Sequence, residues 1–191
     1  VRFSNCSNMT TYDGAGGTGW TNGAPTIITS TVISADYDTN TIGASIEACD
    51  ITVTNNATLT IAADDYLLVN GNITINAGAS LIVEHTGSVV QQNNNAIVTN
   101  NGTINVLVTS PVLQTRDFMV MGVPTSSELR NDVFATAFLV LDFEPNNFIP
   151  NNAVPDGGTN FADDNGDFYN TITGATPINP GEGYVVRPQD S

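Results

Sequence analysis

Lysine is absent from this chain, and its four arginines face 19 acidic residues, for a formal charge of -15. A field of that sign repels phosphate backbones and anionic headgroups, so nucleic acid is a poor partner and direct membrane insertion is not expected. Long apolar runs are also missing: none approaches the roughly 18 to 20 residues that a helix needs to cross a bilayer. Cysteine is limited to Cys6 and Cys49 and histidine to His85. These lack the paired short spacings of a zinc site. Charged residues make up only 12% of the chain, so solubility rests on threonine hydroxyls and asparagine amides as much as on charge. Hydrophobic residues are not scarce: at 40% of 191 residues they can fill the core of one domain or of two small ones.

What the chain has in place of charge is repetition. Ile51 to Ile61 (ITVTNNATLTI) returns 22 residues later as Ile73 to Val83 (ITINAGASLIV), and a looser copy runs from Ile97 to Val106. A short fixed period is the mark of a solenoid, whose units bury their apolar faces only when stacked. Tyr66 to Val69 and Ser88 to Gln91 repeat at the same spacing between the copies, so each turn carries three short strands. Asn-Asn, Asn-Gly, Ala-Gly and Thr-Gly mark the corners. The expected fold is all-β: a short right-handed parallel β-helix of about three turns, followed by a non-repetitive, β-sandwich-like lobe. Inward columns are expected at Leu59, Leu81 and Ile104, at Ile61, Val83 and Val106, and at Val53, Ile75 and Ile97. One extra residue before the third copy is assigned to a corner loop.

The composition divides the chain into three parts. Residues 1–45, rich in Gly, Thr, Asn and Asp with Trp20 and Tyr37 as isolated aromatics, read as a segment capping the first edge of the coil. Residues 46–110 are the β-helix. From Pro111 the repeats stop and aromatics become frequent, so 111–191 read as a β-rich lobe, itself incomplete, with one short helix between Ser126 and Ala137. The whole reads as a processed piece of a longer chain. Cys6 and Cys49 either form one disulfide, the simplest outcome in an exported protein, or remain free thiols.

Three constellations carry candidate chemistry. In Asp163-Asp164-Asn165-Gly166-Asp167, alternate oxygens of Asp163, Asn165 and Asp167 offer a hard-cation loop suited to calcium, with Asp156 and Asp142 as further ligands. No Glu stands at the bidentate twelfth position of a helix-loop-helix site, and a solvated acidic turn is the other reading. Asp64-Asp65 and Glu84-His85 lie near equivalent corners of successive turns and are the one place for paired-carboxylate hydrolysis. Exposed corner residues are the favoured reading of them, and no nucleophile motif surrounds His85. The Thr52/Thr54 and Thr58/Thr60 pairs do not continue as a regular array.

The order Gly19-Trp20-Thr21-Asn22-Gly23-Ala24-Pro25-Thr26, Ala35-Asp36-Tyr37-Asp38-Thr39 and Glu47 to Val53 resembles the opening of large exported surface proteins of Flavobacteria and related Bacteroidota. Asn70 to Leu81 is similar to their β-helical core, and Arg116 to Pro124 and Asn179 to Val186 to the landmarks that follow. Arg116-Asp117-Phe118-Met119 lacks the Tyr and Trp often present there. The resemblance implies export by the type IX secretion system to the cell surface, among adhesins and gliding-motility proteins. The expected role is a non-catalytic structural or adhesive module, a rigid spacer or display scaffold, with the secretion machinery as partner during export. Cell-surface glycans or other surface proteins are further partners. The alternatives are a carbohydrate-binding adhesin module and a fragment of a polysaccharide-active β-helix enzyme.

Overall fold

The computed structural model describes residues 6–43, 45–114, 116–151, 153 and 165–187. It divides into two compact units, Val1–Thr109 and Ser110–Ser191.

The first unit is a β-solenoid of about four turns spanning residues 8–106. Strand β1 (Asn8–Tyr12) opens it. The next turn comprises β2 (Thr29–Ile33), β3 (Tyr37–Asp38), a single helical turn α1 (Thr39–Ile42) and β4 (Ile46–Ala48). Strands β5 (Asp50–Val53), β6 (Thr58–Ile61) and β7 (Tyr66–Val69) form the following turn. Strands β8 (Ile73–Ile75), β9 (Ser80–Val83) and β10 (Ser88–Gln91) form the one after. The coil ends with β11 (Val98–Asn100) and β12 (Thr103–Val106). Three faces result: β1-β2-β5-β8-β11, β3-β6-β9-β12 and β4-β7-β10. All pairings within them are parallel.

Register follows the two-residue strand period, with aliphatic residues inward and Thr, Ser or Asn outward. Leu59 pairs with Leu81 and Leu81 with Ile104, and Tyr37 continues that column above Leu59. Ile61, Val83 and Val106 are likewise in register. The interior of the middle turns is closed to solvent: Leu59, Ile61, Leu67, Val69, Val53 and Ile75 are fully buried. Each contributes roughly 1.5–3 kcal/mol of transfer free energy.

The third column differs from expectation. Ile75 is paired with Asn100, not Ile97, and Val98 sits under Ile73. Ile97 is 64% exposed. The cause is the asparagine-rich corner after β10: it places β11 25 residues after β8, while a shorter next corner returns β12 to 23 residues after β9. A net shift of one residue thus conceals two opposite changes.

Residues 8 to 45 also differ from expectation, because they are not a cap laid over the coil but part of it. β1 and β2 extend the same sheet as the repeat strands, with Thr10 on Thr31 on Ile51, and Tyr12 on Ile33 on Val53. The first positions of this column carry threonine, and burying a hydroxyl is tolerable only when it is paired. Thr10 Oγ1 donates to the Gly23 carbonyl at 2.8 Å and Thr31 Oγ1 to the Thr29 carbonyl at 3.3 Å. Hydroxyls in place of aliphatics hide the period here.

The second unit holds β13 (Met119–Gly122), β14 (Glu128–Leu129), a helical turn α2 (Arg130–Val133), β15 (Leu139–Phe143), β16 (Tyr169–Thr171), β17 (Pro177–Ile178) and β18 (Gly183–Arg187). An antiparallel sheet runs β13-β18-β15-β16, and β14 and β17 form a separate ribbon. Val123, Phe134, Val140, Ile178, Tyr184 and Val186 make its core. β13 lies inside the first landmark motif and β18 begins inside the second and runs one residue past it, and they are direct partners, Val120 against Val185 and Met121 against Tyr184.

Candidate functional site: a cleft at the first turn

The chain leaves β1 at Tyr12, runs through Asp13-Gly14-Ala15-Gly16-Gly17-Thr18-Gly19 and returns at Trp20. Tyr12 and Trp20 form an antiparallel bridge. Asp13 N donates to the Gly19 carbonyl at 3.0 Å and Thr21 N to the Thr11 carbonyl at 2.9 Å. At Gly19, where φ is 72°, a Cβ would collide with the Tyr12 ring. Only glycine lets the returning strand press against that aromatic.

Three rings meet here. Tyr12 stands edge-on to Trp20 at 5.1 Å and to Tyr37 at 4.8 Å, and Trp20 lies 5.5 Å from Tyr37. Tyr12 and Tyr37 belong to the core, while Trp20 is half-buried against it. Such pairs add roughly 0.5–1.5 kcal/mol each beyond burial. Burial first, then the Tyr12 phenol and the Asp65 carboxylate, hold the Tyr37 phenol above its ordinary pKa, so it stays neutral. Between this triad, the glycine loop and the start of β4 lies a cleft of about 500 Å³, lined among others by Trp20, Tyr37, Thr18, Gly17, Ser45 and Ile46.

Elsewhere on the coil, polar side chains tie one turn to the next. Asp50 Oδ1 accepts from Asn72 N at 2.5 Å, and Asn72 Oδ1 from Ile97 N at 2.9 Å. Asp36 Oδ1 accepts from Thr58 N at 2.8 Å, and Thr39 Oγ1 from Ala62 N at 2.9 Å. The Asp64-Asp65 and Glu84-His85 corners are neighbours, as their spacing suggests. Glu84 Oε2 accepts from Ala63 N at 3.3 Å, Thr86 Oγ1 from Asp64 N at 3.1 Å, and Asp65 Oδ1 from the Ser45 hydroxyl at 3.1 Å. Asp64, Glu84 and His85 are exposed, and the Asp65 and Glu84 carboxylates hold neighbouring groups across turns.

Cys6 and Cys49 form a disulfide, with Cα atoms 5.7 Å apart. Asp50 Oδ2 lies 2.9 Å from Cys6 Sγ, so three donor-type atoms cluster there. Bonded sulfurs offer no thiolate, however, and the cluster reads as a crosslink beside a corner carboxylate. Of the calcium candidates, Asp163 and Asp156 lie outside the described residues. Asn165 and Asp167 face each other: Asp167 N donates to Asn165 Oδ1 at 3.1 Å and Asn165 Nδ2 to Asp167 Oδ2 at 3.3 Å. Asp142 belongs to β15, where burial and then Glu182 raise its pKa. Tyr184 Oη and Asn179 Nδ2 donate to Glu182 Oε2 at 2.6 and 2.9 Å, which lowers the pKa of that carboxyl.

The sequence treats Trp20 and Tyr37 as isolated, whereas the fold stacks them with Tyr12. The one legible sign was Asp13-Gly14 and three more glycines between two aromatics, a hairpin pattern. In comparison with known proteins, residues 11–191 match the family model described as a domain of unknown function, DUF8693. No curated protein and no solved structure matches the chain.

Proposed function

The chain belongs to the DUF8693 family, and from that footing we propose that it is a non-catalytic module of an exported cell-surface protein, a stiff spacer that holds other parts away from the surface. The carrying observation is the continuous parallel pairing on each face of the coil from β1 to β12, reinforced by side chains that bond from turn to turn. Stacking of this kind resists bending because every strand inside a face is hydrogen-bonded along its length to the strand before it and the strand after it. The Cys6–Cys49 bond supports an oxidising compartment, and the resemblance to exported Bacteroidota surface proteins supports type IX secretion as the route. The exposed Asp64, Glu84 and His85 sit on a corner where Glu84 already accepts from Ala63 N and Asp65 from the Ser45 hydroxyl, which favours the non-catalytic reading over a polysaccharide-active enzyme.

Force spectroscopy of the chain held at both ends tests the mechanical part. A spacer gives a distinct high-force unfolding event for the coil, abolished by Leu59→Asp. Extension at low force without such an event refutes the stiff-spacer reading. Surface labelling of the full-length protein in its own cells, compared with a strain lacking the secretion machinery, tests the location. Equal surface signal in both strains removes type IX export.

A further inference from the structure

We propose that the cleft at the first turn binds a short neutral saccharide, with an apolar sugar face on Trp20 and sugar hydroxyls against Thr18 and the peptide groups of the glycine loop, Ser45 Oγ serving only as an acceptor because its proton goes to Asp65. The inference goes beyond the spacer reading and does not depend on it.

Four observations lead there. The volume, about 500 Å³, falls in the roughly 300–1,000 Å³ range of small-molecule sites. Among the described residues the lining contains no guanidinium or imidazole, and the Asp65 carboxylate behind it is already engaged by the Ser45 hydroxyl, so an anion entering the cleft would lose hydration without gaining a partner. The net charge of -15 further disfavours anions. What the lining offers is one half-buried indole, hydroxyls and bare peptide groups, the complement of a molecule with C–H faces and a rim of hydroxyls.

The rings themselves rule out the other common aromatic site. With centroids 4.8–5.5 Å apart, they pack on one another and leave no space between them for a quaternary ammonium, which sits among rings rather than beside a closed cluster.

Gly17 lines the cleft. Unlike Gly14, Gly16 and Gly19, it has no positive φ, and a Cβ built there meets nothing within 4 Å. Neither strain nor crowding requires glycine at this position. A larger side chain can therefore be placed at this point of the lining without a clash, which makes Gly17 a position from which access to the cleft can be tested.

The chain has one tryptophan, so its emission reports this site alone. Titration with maltose, cellobiose, lactose and diacetylchitobiose, up to ~20 mM to cover millimolar affinity, should give a saturable emission change with at least one of them. Gly17→Leu should weaken that binding at least tenfold while its circular dichroism and melting match the parent. Thr18→Val serves the same purpose should the leucine variant not fold, with at least threefold weakening expected. Silence across the four sugars overturns the proposal. So does unweakened binding in the variants, or saturation by choline or glucuronate in place of the neutral sugars. None of these results touches the mechanical test of the spacer.

Discussion

Replacing both cysteines by alanine removes the only covalent link in the first unit, and its effect can be worked from the positions of the two ends. The bond closes a loop with a sequence separation of 43. In the chain-entropy treatment such a loop restricts the unfolded state by about 13 cal/mol/K, or ~4 kcal/mol at 25 °C. The unit Val1–Thr109 has an unfolding entropy of about 230 cal/mol/K at roughly 2.1 cal/mol/K per residue. The Cys6→Ala, Cys49→Ala variant should therefore melt roughly 15–20 °C lower if the unit unfolds as one. Trp20 lies inside the closed loop, so its fluorescence follows the first turn, while far-ultraviolet circular dichroism follows all strands. In a stack governed by nearest-neighbour contacts the first turn can fray early. The variant then shows Trp20 melting ahead of the dichroism signal. A shift below about 3 °C by both probes would refute the reasoning, since it would mean that the loop is already as constrained without its crosslink.

Leu59→Ala opens a hole in the central column between Tyr37 and Leu81 and should cost about 3–5 kcal/mol in urea unfolding, whereas the outward-facing Thr60→Ala should stay within about 0.5 kcal/mol; equal effects would contradict the register. Asn72→Ala deprives Ile97 N of its acceptor at an exposed corner and should cost about 0.5–1.5 kcal/mol, seen as faster amide exchange at Ile97 ahead of the middle turns. Glu182, held below the ordinary carboxylate pKa by Tyr184 and Asn179, contributes stability that is complete above that ordinary value and lost as pH falls through the lowered one. The stability gap to Glu182→Gln should therefore shrink on acidification. Asp142 runs the other way: its raised pKa makes the charged form a cost at neutral pH that protonation relieves, so Asp142→Asn should stabilise the second unit at pH 7 and lose that advantage in acid. A flat difference curve for either variant, from urea titrations across pH, sets that assignment aside.

The middle turns were legible because they obey both periods at once: Leu59 and Leu81 recur at the coil spacing, and Leu59, Thr60 and Ile61 alternate at the strand spacing. The opening strand β1 and the turn built by β2, β3 and β4 were not, because Thr10 and Thr31 fill inward positions with hydroxyls that only their carbonyl partners make tolerable. The misplaced Ile97 has a different cause. Residue counts add along a chain, so a longer corner followed by a shorter one imitates a single insertion. The aromatic cleft lay beyond reach for a third reason: Tyr12, Trp20 and Tyr37 belong to no common period, and their meeting depends on a hairpin and a coil closing on the same spot. The pairing of Cys6 with Cys49 stayed open in the sequence between a disulfide and free thiols, because two cysteines do not by themselves report how close the fold brings them; their Cα atoms are 5.7 Å apart.

Because Asp50 and Asn72 occupy matching corners and present the same kind of oxygen to the next strand, residues 51–72 form an interchangeable segment. Copying that stretch in frame would add one storey to the column and lengthen it by about 4.8 Å, with every new side chain meeting neighbours of a type it already meets. A gene encoding such a chain can change the reach of its product by whole increments through duplication or loss, leaving both ends as they were.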